Sequence, residues 1–135
     1  MDMVINFFKE MNLYDEQLFK NLENRIVIFD KPYEEIKEFV GCYQINGEYK
    51  LILPKLNSEL DTLVYIHEYT HAIFIDDKEE IFPNVMEAMY IKKYINDKKT
   101  LDQIKEKAVN IINNSNSDKH VVANKVKLKL ISEEK

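Results

Sequence analysis

The chain predicts an α+β fold: a small antiparallel or mixed sheet, with a hairpin packed on one long helix and further helices around it. Three observations carry this expectation. Many apolar residues recur at helical spacing, Ile26-Val27-Ile28-Phe29 is a continuous β-prone run, and Asn46-Gly47 joins two β-prone segments. At 135 residues, 45% hydrophobic and 32% charged, the chain has the composition of one soluble globular domain spanning 1–135.

Val4, Phe7, Phe8 and Met11, then Tyr14, Leu18 and Leu22, follow helical spacing with a break near Asn12-Leu13, which predicts one broken helix or two short ones. The run Ile26 to Phe29 suits a buried strand, and Pro32 is placed to open a short helix through Phe39. Tyr43 to Leu53 is the expected hairpin, its second strand stopped by Pro54. Ser58 and Asp61 form a capping box, so a helix should start there and run to about Ile75, where Asp76-Asp77-Lys78 interrupts it. Further helices are expected from about Pro83 to Ile95 and from Leu101 to Ile112. Asn113 to Ser117 reads as a linker. Val121 to Ile131 fits a helix or, from the alternation Val126-Lys127-Leu128-Lys129-Leu130, a strand; helix is favoured.

The helix after Ser58 carries His67-Glu68-Tyr69-Thr70-His71 inside an otherwise apolar run. His71 lies about 40° around the helix from His67 and roughly 6 Å along it, so both rings can converge on one metal ion. Glu68 points about 100° away, placed to touch a water bound to that ion. Leu60, Val64 and Phe74 share the histidine stripe, so the alternative is a pair of core histidines. That arrangement has a cost, because unpaired buried imidazole donors and acceptors lose roughly 1–3 kcal/mol each. Zinc satisfies both rings at once and, at a catalytic site, usually takes three protein ligands and keeps a position for water.

Glu87 is the candidate third ligand. It is a carboxylate within the apolar stretch Val85-Met86-Glu87-Ala88-Met89-Tyr90-Ile91, where ionised groups are seldom found without a partner. The competing reading puts Glu87 on an exposed stripe with Lys93 or Asp97. Glu80, in a charged cluster with Glu79 that reads as solvated, is the alternative ligand, and His120 reads as a surface residue. Cys42 would complete a different hydrolytic zinc site, although a lone cysteine is more often a small buried hydrophobe.

Charge and cysteine content narrow the partners. The formal net charge is −5 and the lysines are scattered, which argues against nucleic acid and anionic membrane and leaves a protein or peptide substrate; the oligomeric state is left open. One cysteine allows no internal disulfide, the N-terminus lacks the pattern of a signal peptide, and no apolar run approaches a membrane span, so a cytoplasmic location is expected.

His67-Glu68-Tyr69-Thr70-His71-Ala72-Ile73 resembles the signature of zincin metallopeptidases, and Glu87-Ala88 on a following helix is similar to their glutamate-ligand branch, the gluzincins. The order of hairpin, motif helix and glutamate helix, over about residues 41 to 97, looks like the compact ImmA/IrrE-like metallopeptidases. The likeness implies a zincin-like fold and cleavage of intracellular regulatory proteins. Two positions depart from the pattern: Ile75 stands where that compact family often has a histidine, and Ile91 where thermolysin-like enzymes have an acidic residue. Gly41-Cys42 loosely resembles peptide deformylase, but Thr70 replaces the acidic residue that family has before its second histidine.

The expected chemistry is peptide-bond hydrolysis: His67, His71 and Glu87 hold zinc, Glu68 takes a proton from its water ligand and passes it to the leaving amine, and Tyr90 or Tyr94 stabilises the oxyanion. The strand Glu48 to Leu53 would bind an extended substrate by strand addition. The rival functions are an inactive zincin-scaffold binding module and a deformylase-like zinc amidase using Cys42.

Overall fold

The computed structural model describes residues 2–74 and 79–133, arranged as two compact units, Met1–Ile75 and Asp76–Lys135. The first unit contains α1 (Asp2–Glu10), α2 (Glu16–Glu23), β1 (Ile26–Ile28), α3 (Tyr33–Ile36), β2 (Gly41–Ile45), β3 (Glu48–Leu53) and α4 (Glu59–Ile73). The class is α+β with a three-stranded mixed sheet, in the order β1-β3-β2.

The break between α1 and α2 falls at Asn12, whose φ of 58° ends the first helix; Asp15 then caps the second by accepting from the Leu18 N–H. At the hairpin, Asn46 (φ 54°) and Gly47 (φ 79°) form a two-residue loop with both residues in the left-handed region, the requirement of a type I′ turn. This loop fixes the antiparallel register Cys42↔Leu51 and Ile45↔Glu48.

β3 is the buried strand. It pairs with β1 in parallel and with β2 antiparallel, and Leu51 and Leu53 are fully buried. The Ile26 run, expected as buried, is instead a short edge strand whose Ile28 is 49% exposed. Continuous apolar character marks a strand without saying whether it lies at the centre or the edge. Likewise β3 cannot accept an added strand at Leu51–Ile52, because both of its sides are already paired there.

Register sets the sheet's faces. Ile26, Leu51 and Cys42 share one row and therefore one face, and α4 packs against β2 and β3. α1 packs on α4 and α2 on β3, and their rings meet at Tyr69: Phe8 stacks on Tyr69 with ring centroids 6.0 Å apart, and Phe19 lies 5.7 Å from Tyr69.

The second unit is helical: α5 (Ile81–Tyr94), α6 (Lys98–Asn114) and α7 (Asp118–Ser132). α7 packs on both α5 and α6, with the fully buried Ala88, Ala108 and Ala123 allowing close approach of one helix to another. The C-terminal segment is thus a helix, started by Ser117, whose hydroxyl accepts from the His120 N–H. The expected linker shrinks to the turn after Asn114. The interruption expected at Asp76-Asp77-Lys78 lies outside the described residues. Among the described residues, no helix is long and apolar enough to cross a membrane.

Candidate metal centre

The motif helix is fixed at its first turn. The Ser58 hydroxyl accepts from the Asp61 N–H, while Asp61 Oδ2 accepts from the Asn57 and Ser58 N–H groups at 2.9 and 3.1 Å. One turn later the Tyr65 hydroxyl donates to the Pro54 carbonyl at 2.7 Å, tying α4 to the end of β3. Burial, with the nearby Asp61 charge adding to it, pushes the Tyr65 phenol up to about 12, so the hydroxyl keeps the proton that this bond requires.

Helical geometry then divides the motif. Tyr65, Ile66, Tyr69, Thr70 and Ala72 are buried, whereas His67, Glu68 and His71 are half-buried. Tyr69 anchors the helix in the aromatic cluster, and burial holds its phenol above the ordinary range, with the Glu23 and Tyr65 charges contributing. Thr70, at the position where a deformylase carries an acid, donates its hydroxyl to the Ile66 carbonyl at 2.6 Å. Leu60, Val64 and Phe74 are half-buried like the histidines, so their shared stripe is a partly open face.

On that face the His67 and His71 rings meet edge to face, 5.0 Å between centroids at 68°, with a ring nitrogen of each within 4.8 Å of the other. Two nitrogens on one tetrahedral zinc stand roughly 3.4 Å apart, given bonds of about 2.0–2.1 Å. The 4.8 Å limit on the two nitrogens admits that separation. Glu68 lies beside them, and its charge is felt at Cys42 on β2: burial first, then Glu68, raises the Cys42 thiol to about 11.

The remaining expected site residues belong to the second unit. Glu87 is buried on α5, and its Oε1 lies 3.5 Å from Nζ of Lys127 on α7, both side chains about one-tenth exposed. The exposed-stripe reading of Glu87 therefore fails. Glu80 is also less solvated than expected: its side chain is 14% exposed against 55% for Glu79, and its Oε1 lies 3.6 Å from His120 Nε2. His120 is a surface residue as expected, its Nδ1 2.8 Å from the Ser117 hydroxyl. Tyr90 is fully buried, its ring 5.0 Å from that of the half-buried Tyr94.

Lys127 is the residue that sequence reasoning missed. Its signal was the i, i+3, i+4 relation to Ala123 and Asn124, which places it on the inward stripe of α7 when the segment is read as a helix. A comparison of the chain with protein-family models, curated proteins and solved structures finds no match.

Proposed function

We propose that the protein is a zinc-dependent metallopeptidase of zincin type, acting on a protein or peptide substrate in the cytoplasm. The observation that carries the reading is the pairing of His67 and His71 on a partly open helix face with Glu68 at their side. The donor set suits zinc, with Glu87 as third ligand and Glu80 as the alternative. When bound, zinc supplies Lewis acidity to the scissile carbonyl and makes water acidic enough to deprotonate near neutral pH.

The chain's own residues do the rest. His67 and His71 bind through neutral imidazoles, held in direction by a helix that is capped at Ser58 and anchored through Tyr65 and Tyr69. Glu68 accepts the proton of the attacking water on its carboxylate and returns it to the leaving amine. Tyr90 is the proposed oxyanion donor, with the more exposed Tyr94 as its alternative. Among the described residues β2 pairs with β3 alone, and its outer edge is the proposed place for an extended peptide.

A second reading has its own observation. Cys42 faces the same side of the sheet as Leu51 and feels the Glu68 charge, as a thiol ligand in a deformylase-like amidase would. One set of variants separates the readings through zinc content and cleavage of casein. Glu68→Gln should retain zinc and lose at least about 100-fold in hydrolysis. Glu87→Ala should lose zinc while Cys42→Ser keeps it. Hydrolysis that survives Glu68→Gln removes the peptidase mechanism, zinc lost in Cys42→Ser favours the amidase, and zinc lost only in Glu80→Ala moves the third ligand to Glu80.

A further inference from the structure

Among its described residues the second unit buries four amide or charged side chains, and all four lie on α5 and α7: Asn84 and Glu87, Asn124 and Lys127. They stand at matched positions. Each α7 residue follows its α5 counterpart by 40 places, as in the contacts Glu79–Lys119 at 3.9 Å, Glu80–His120 at 3.6 Å and Glu87–Lys127 at 3.5 Å. The two helices therefore run parallel, in one register over about two turns. α6, which also packs on α7, buries only the apolar Ile104 and Ala108.

Stability explains this stripe poorly. Replacing a buried ion pair by apolar side chains of similar volume is often neutral or stabilising. Asn84 and Asn124, each 2% exposed, direct their Nδ2 groups to carbonyls of their own helices, those of Glu80 and His120, both at 2.8 Å. Asn124 Oδ1 is buried without a hydrogen-bond partner among the described residues, which weakens the native state further. Alignment explains the stripe better. Sliding α7 by one turn sets Glu87 level with Ala123 or Ile131 and Lys127 level with Ile91 or Pro83, and a buried charge parted from its partner is strongly destabilising. We propose that the stripe is a register lock, in which the Glu87–Lys127 pair and the two asparagines admit a single parallel alignment of α5 and α7. The lock belongs to the metal-free chain and does not rest on any ligand assignment.

The test uses the full chain in EDTA, with Cys42→Ser and with spin labels on Met89→Cys and Val122→Cys, two exposed positions on α5 and α7. Because the labels lie at different levels, a slip of one turn changes their separation by roughly 3–5 Å. The parent should give one narrow distance. Asn84→Leu, Glu87→Met, Asn124→Leu and Lys127→Met together should keep the helical circular dichroism and an equal or higher melting temperature, yet add a second distance. Glu87→Lys with Lys127→Glu preserves an ion pair and should keep the single distance. One unchanged distance in the apolar variant overturns the inference, because packing alone would then set the register. A second distance in the charge-reversed variant also overturns it. If the four-site variant does not fold, Glu87→Met with Lys127→Met is read in its place, and a lower melting temperature there overturns the inference by making the stripe a source of stability.

Discussion

Within His67 to His71, the candidate ligands and the packing residues occupy different sides of the helix. Tyr69 stacks on Phe8 and touches Phe19, so Tyr69→Ala removes a buried ring and should cost about 3–5 kcal/mol, measured as a lower denaturant midpoint. The ligand spacing itself was legible, because i, i+4 geometry is a property of any helix. Cys42 offers a sharper check of the local electrostatics. With its thiol raised to about 11 by burial and by Glu68, alkylation of the metal-free protein at pH 8 should be far slower than in the unfolded chain. Its rate should climb about tenfold per pH unit towards 11, and Glu68→Gln should speed it at pH 8 by removing a negative charge. A rate insensitive to Glu68→Gln would show that burial alone controls the thiol. Neither the Cys42–Glu68 proximity nor the Lys127–Glu87 contact was legible, since each joins residues far apart in sequence.

At the scale of elements, legibility followed the local chemistry. The hairpin could be read because Asn46-Gly47 both tolerate positive φ; Gly47→Ala should cost about 1 kcal/mol through that backbone alone, as an added Cβ meets nothing within 4 Å. The α4 start was equally readable, and Ser58→Ala should lower stability by about 1 kcal/mol in thermal unfolding. A smaller loss in either variant would mean that sheet or core packing sets these elements without help from the turn or the cap. The α6 start was misplaced at Leu101 because its first turn, Lys98-Lys99-Thr100, carries no apolar stripe. There the helix is begun by Asp97, which accepts from the Thr100 N–H and hydroxyl, bonds that also hold its carboxyl below the usual range. The edge position of β1 was hidden for a different reason: which of two apolar strands takes the centre depends on pairing across the sheet.

For the whole molecule, the α+β class was legible from element types in order, whereas the division into two compact units was not, because no Gly- or Pro-rich boundary announces it. That division makes zinc linkage a stringent test of the donor set. A ligand that binds only the native state stabilises it by about 2.7 kcal/mol at a free concentration of 100 Kd. The proposed donors lie on α4 and on α5, so zinc should slow amide hydrogen exchange in both helices, and EDTA should reverse it in both. Glu87→Ala should abolish the protection of α5. Protection confined to α4 and β2 would instead mean that the first unit supplies every ligand, and among its residues Cys42 is the sulfur donor on the strand that α4 covers. Hydrogen exchange thus separates a glutamate-ligated peptidase from a cysteine-ligated amidase without knowledge of the substrate, because the two assignments protect different parts of the chain.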